Sequence, residues 1–208
     1  MKKNYITRSK NLASHQKWEV KKGFTLVEIL VVMAIMAIVG TVLVAIFTNT
    51  LRGSNKSQIL AVIKQNGQAA LDNMDKTILD ADSVVCPQAD ASGPTLVVVK
   101  NGRYTRFSFV TGIAPGFIQQ DSPSPGSNIN SFLNTVCSEI SSDGSITLTD
   151  TNPQSGVSVK SGLFSRNQES GFKDSVTVSF ELGPGSAIPE AVANQIDNVV
   201  FQTTIQLR

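Results

Sequence analysis

Few residues in this chain are placed to do chemistry, and one of them sits where a charge is costly. Glu28 is the only charged residue between Gly23 and Phe47, in a segment that is otherwise apolar apart from Thr25 and Thr41. A carboxylate at the centre of a membrane-spanning stretch costs on the order of 2.5–3.5 kcal/mol even on lenient insertion scales, so it is seldom there without a partner or a role. The remaining candidates are sparse. Cys86 and Cys137 are the only cysteines and His15 is the only histidine, so most of the chain lacks the commonest general base and metal ligand. Asp143, Gly144 and Asp150 lack the acid-rich spacing and later glutamate of a calcium loop, and read as turn residues. Gly183-Pro184-Gly185 lacks the strand–glycine–helix setting of a phosphate loop. These features point away from an enzyme and from any cofactor or metal.

The elements that position Glu28 begin with the apolar run itself. Phe24–Phe47 as a helix spans about 36 Å at about 1.5 Å per residue, enough for a hydrocarbon core of about 30 Å. A secretory signal would be cut after its apolar core at a small-residue site, but Thr48-Asn49-Thr50-Leu51-Arg52-Gly53 follows here. A plain membrane anchor accounts for the length and leaves Glu28 and Gly23 unexplained. Residues 1–23 carry seven Lys or Arg (Lys2, Lys3, Arg8, Lys10, Lys17, Lys21, Lys22) against one acid, Glu19. The positive-inside bias keeps that basic leader in the cytoplasm and puts everything after Phe47 outside. The whole chain is +2, so residues 24–208 are net −4.

Past the membrane the helix continues to about residue 82. Ile59, Ile63, Gly67, Ala70, Met74 and Ile78 recur at helical spacing on one face, with Lys56, Lys64, Asp72, Asp75 and Lys76 on the solvated side. From Ser83 the period changes. Lys100-Asn101-Gly102-Arg103 separates Thr95–Val99 from Tyr104–Val110, a strong hairpin signal. Val176, Val178, Phe180 and Leu182 alternate with polar residues, as do Phe201, Thr203, Ile205 and Leu207, which marks antiparallel strands with one face buried. Shorter candidate strands are Ser145–Thr149 and Val157–Lys160, and Asp121–Asn128 and Gly183–Glu190 read as loops. The fold class is therefore α+β, a long N-terminal helix packed on an antiparallel sheet. It divides into a leader (1–23), an apolar helix (24–47), its amphipathic continuation (48–82) and a β-rich head (83–208).

Cys86 and Cys137 fall in the part expected outside the cytoplasm, where a disulfide persists. That topology favours a Cys86–Cys137 bond over two buried thiols, and it would tie the end of the long helix to the middle of the sheet. Closing such a loop stabilises by roughly 4 kcal/mol in the chain-entropy model. Lys100, Arg103 and Arg106 cluster about one hairpin and could meet DNA or an acidic surface, although a solvated strand face is the commoner meaning of such a set.

The pattern Lys21-Lys22-Gly23-Phe24-Thr25-Leu26-Val27-Glu28 resembles the cleavage and methylation motif of the type IV pilin superfamily, which includes the pseudopilins of type II secretion and DNA-uptake machines. The resemblance implies that a prepilin peptidase cuts between Gly23 and Phe24 and methylates the new amine of Phe24. It also implies that Glu28 pairs with such an amine during assembly. An α-amine titrates near pH 7.7–8.0 and is substantially cationic at neutral pH, so it can offset the carboxylate within one subunit or between two. Cleavage would remove the leader and His15, and with them any case for nonspecific nucleic-acid binding by a basic chain. The leader is longer than many in the family. Ala45 stands where many pilins have a proline, so a local unravelling of the helix, if it occurs, falls at Gly40 and Thr41.

The later order of Asn152-Pro153-Gln154-Ser155-Gly156, Phe164-Ser165-Arg166 and a final strand through Phe201 looks like the head of certain minor pilins and larger minor pseudopilins. Together the two resemblances imply a structural subunit of a type IV pilus-like filament, with a type II secretion or DNA-uptake pseudopilin, or a filament-displayed adhesin or DNA-binding subunit, as alternatives. The implied partners are prepilin peptidase, other pilin or pseudopilin subunits, the inner-membrane assembly platform and membrane lipid before assembly. The implied location is the cytoplasmic membrane, single-pass, and then a periplasmic or cell-surface filament.

Overall fold

A computed structural model describes residues 23–138 and 144–208. The leader before Gly23 and the Asp143 turn position lie outside the described residues. A helix, α1, runs Leu26–Leu79, and it is continuous through Gly40 and Gly53. The chain divides into two compact units, Met1–Thr48 and Asn49–Arg208.

In the first unit the chain enters α1 through a side-chain cap. The Glu28 backbone N–H donates to Thr25 Oγ1 at 3.2 Å, which satisfies one of the amides left without a partner in the first turn. The following segment is long and apolar enough to cross a membrane, and its large side chains, from Leu26 to Phe47, are exposed. The hydroxyl of Thr41 and that of Thr48, just past the segment, are turned back onto the helix. Thr41 Oγ1 donates to the Ile38 carbonyl at 2.7 Å and Thr48 Oγ1 to that of Val44, so neither needs a polar partner from outside.

In the second unit the remainder of α1 buries one face. Ile63, Gly67, Ala70, Met74 and Ile78 are buried, five of the six positions in the helical stripe read from the sequence. Helix α1 ends at Leu79, and Asp82 N–H already donates to the Val99 carbonyl in the sheet. Among the described residues nine antiparallel strands follow: β1 (Ser83–Cys86), β2 (Ser92–Gly93), β3 (Thr95–Lys100), β4 (Arg103–Val110), β5 (Phe117–Asp121), β6 (Ile146–Thr147), β7 (Val157–Asn167), β8 (Ser175–Pro184) and β9 (Val199–Gln206). They form two sheets, ordered β1-β3-β4-β5-β6 and β2-β7-β8-β9. The described residues of the head also hold two short helices, α2 (Ile129–Thr135) and α3 (Glu190–Ala193).

The β3–β4 hairpin shows why register survives translation from sequence. Lys100 pairs with Arg103, and Asn101 and Gly102 take φ of 50° and 75°, the left-handed pair that a two-residue turn demands. Phe109 of β4 stacks on Phe164 of β7 at 4.5 Å, and Phe180 of β8 stacks on Phe201 of β9 at 5.3 Å. These rings join the two sheets to one core. Phe201 also meets α1, since a Cβ on Gly67 would lie 2.1 Å from its ring. The glycine is what lets the helix approach β9.

Several boundaries differ from the sequence reading. Asp121 ends β5 rather than opening a loop, and Gly183 and Pro184 belong to β8. The candidate Ser145–Thr149 is reduced to Ile146–Thr147, whereas Val157–Lys160 is only the start of an eleven-residue strand. Strand β5 buries its residues without strict alternation, so it gave no period-two signal. Lys56, expected on the solvated side, is half-buried.

Candidate assembly segment and the head that carries it

Gly23 and Phe24 are exposed and precede the helix, and Phe24 keeps 76% of its surface. The Gly23–Phe24 peptide bond therefore lies in non-helical, accessible chain, two residues before α1. A peptidase needs that geometry, because a helical bond is held in an intrahelical ladder and cannot extend into a cleft. Glu28 sits in the first turn of α1, where the helix N-terminus favours an acid. Its carboxylate is exposed and makes no ion pair among the described residues.

Thr25 is the residue at this site that sequence reasoning passed over. Its hydroxyl accepts from the Glu28 N–H, and its carbonyl accepts from the Ile29 N–H at 3.2 Å. The signal was present, since Thr25-x-x-Glu28 has the spacing of a capping box before an apolar run. The cap marks where extended chain gives way to α1, leaving Phe24 outside the helix and Glu28 in its first turn.

In the head, a disulfide joins Cys86 to Cys137 with their Cα atoms 5.8 Å apart. It ties the end of β1 to the turn after α2, not to the middle of a sheet. Around it Val97 and Val136 form a second, smaller core, with Tyr104 and Phe132 edge-on at 4.8 Å. Asn128 caps α2 by accepting from the N–H groups of Asn130 and Ser131, both at 3.2 Å.

The cationic hairpin set divides. Arg106 is 3% exposed and turned inward, with Nε donating to Asp121 Oδ1 at 2.9 Å and Nη1 to the Val136 carbonyl at 3.1 Å. It binds β4, β5 and the disulfide-linked turn together and is no part of a solvated face. Lys100 pairs with Asp80 at 2.8 Å, and its ammonium holds that carboxyl below the ordinary carboxylate range. Lys76, Lys100 and Arg103 line an open groove with Asp80, so an acid already stands among the cations. Among the described residues no group of three or more His, Cys, Asp or Glu could hold a metal ion.

A family model described as the prokaryotic N-terminal methylation motif matches residues 20–44. This is the signature of type IV pilins and pseudopilins, and it covers the end of the leader, the Gly23–Phe24 bond, Thr25, Glu28 and most of the apolar segment. No curated protein and no solved structure matches the chain.

Proposed function

We propose that this chain is the precursor of a structural filament subunit of the type IV pilus kind, and a minor rather than a major one. The observation that carries the reading is the methylation motif at residues 20–44 on a helix whose large apolar side chains from Leu26 to Phe47 are exposed. Prepilin peptidase cuts between Gly23 and Phe24 and methylates the Phe24 amine. Before assembly Phe24–Phe47 crosses the cytoplasmic membrane with the head outside. On assembly the same surface moves from lipid to neighbouring subunits, delivered by the inner-membrane platform.

The chemistry of that transfer follows from two terms. Large apolar side chains are as well covered by neighbouring helices as by lipid, so burial alone sets no register. The Phe24 amine and Glu28 set it. Once both are away from water, removing either partner of a buried pair costs roughly 3–5 kcal/mol, so only the axial position that brings an amine to each carboxylate is tolerated. The preference for a minor subunit rests on the resemblance of the head's sequence order, Asn152–Gly156, Phe164-Ser165-Arg166 and a final strand through Phe201.

Gly23→Val tests the processing step. With the native peptidase present, the variant should remain at the mass of the uncut chain while the wild type is shortened by its leader. Full processing of the variant would overturn the assignment of the cleavage site.

A further inference from the structure

Two cations of α1, Arg52 and Lys56, stand one helical turn apart and face the segment around α3. With Asn55, Val192 and Gln195 they line a groove of about 270 Å³ that no carboxylate enters. Arg52 is exposed and Lys56 half-buried, so the groove holds one cation in its wall and presents the other at its mouth. The surrounding charge pattern is one-sided. No acid occurs between Glu28 and Asp72, whereas residues 72–208 hold fourteen acids against eight Lys or Arg. The groove is a local positive site on a head that is otherwise net negative.

Its place in the chain says what it meets. Arg52 follows Phe47 by five residues, and five residues span at most about 18 Å whatever their conformation. A membrane that holds the apolar segment therefore brings its headgroup layer, about 5–7 Å thick on each side, within reach of these side chains. Both are long enough to extend a charged end along an interface.

We propose that this groove binds the phosphate of an anionic phospholipid headgroup in the leaflet on the head's side. Arg52 supplies a planar fork that matches phosphate oxygens in pairs, and Lys56 supplies a point charge. Asn55 adds a neutral amide donor. The head is net negative and is repelled by the same surface, whereas this contact favours approach and turns the groove towards the membrane. The contact is surrendered when the subunit leaves the bilayer, which makes it a brake on premature extraction. The lipid contact rests on Phe24–Phe47 spanning a membrane and is independent of cleavage; only its action as a brake rests on the proposed assembly.

Native mass spectrometry of the full chain, released from detergent micelles holding equal phosphatidylglycerol and phosphatidylcholine, tests it. The wild type should retain phosphatidylglycerol preferentially. Arg52→Gln/Lys56→Gln, with an unchanged circular dichroism spectrum, should lose that preference by roughly fivefold per cation removed. The leader cations also attract anionic lipid, so Lys21→Gln/Lys22→Gln is measured beside it and should keep the lipid held by the groove. Equal retention by the wild type and the Arg52/Lys56 variant overturns the proposal. So does displacement of the bound lipid by millimolar inorganic phosphate, which would make the groove a site for a free anion. A chain that stays in solution without detergent would overturn the membrane-spanning premise instead, a result distinct from lost headgroup selectivity.

Discussion

The large apolar residues of 24–47 and the core residues of 49–208 meet opposite fates. In the head, Ile63, Met74, Phe107, Phe164 and Phe180 are covered to within 1% of their surface, by one another and by two sheets. In the apolar segment Leu26, Met33, Ile38 and Phe47 each keep more than 65%. Burying such a side chain is worth about 1.5–3 kcal/mol, so the second set represents a large driving force that the single chain leaves unused. The head is finished as a fold, while the apolar helix awaits lipid or other helices. Charge follows the same division. Arg106 finds Asp121 inside the head, whereas Glu28 has no ionic partner among the described residues; under the proposed function the Phe24 amine freed by cleavage would supply one.

Substitutions can break this contrast at either end. The largest effect is expected at Glu28. Glu28→Leu should leave cleavage at Gly23 unchanged and reduce incorporation into filaments by tenfold or more, since an unpaired buried amine would cost roughly 3–5 kcal/mol; immunoblots of sheared filaments and of membranes read both quantities. Normal incorporation would remove the register role of the carboxylate. Next comes Asp121→Ala, which strands the buried guanidinium of Arg106 and should destabilise the head by roughly 3–5 kcal/mol in urea unfolding, with processing untouched. A loss below about 1 kcal/mol would mean that the guanidinium finds water or another partner.

Gly67→Ala is expected to act more modestly. Its Cβ would meet the Phe201 ring, and forcing a methyl into a packed contact costs typically about 1–3 kcal/mol. For a domain of this size that lowers Tm by about 2–4 °C per kcal/mol. An unchanged Tm would show that Phe201 swings aside freely. The smallest effect belongs to Asp80. Lys100 depresses its folded pKa, so its contribution is fully present above the unfolded carboxylate value of about 3.9 and is lost as pH falls through the folded pKa. Asp80→Asn should remove that part of the acid limb of a stability–pH curve and leave the rest in place. The pair is exposed, which keeps the change small.

Much of this contrast was legible in the sequence, for physical reasons that differ by region. The stripe Ile63, Gly67, Ala70, Met74, Ile78 and the alternation in Val176–Leu182 are periodic, and periodicity reports directly on which face is buried. Asn101-Gly102 fixed a hairpin because few residue pairs accept two positive φ values. What escaped was non-periodic or depended on distant partners. Strand β5 is five residues long and buries unevenly. The division into two sheets depends on β7 pairing with β2 and β8, and contacts across that distance leave no local mark. Arg106 resembled a surface cation because Asp121, its partner fifteen residues away, belongs to that unrecognised strand. Thr25 is the instructive omission, a capping-box residue overshadowed by the glutamate it caps.

The proposed role of the apolar helix depends on cleavage of the Gly23–Phe24 bond. Mass spectrometry of the N-terminal peptide, taken from sheared filaments and from membranes of native cells, tests it most directly. The prediction is a peptide that begins at Phe24 with a methylated amine, present in both fractions. A chain that still begins at Met1 in every fraction would contradict it and leave the apolar helix as a plain membrane anchor.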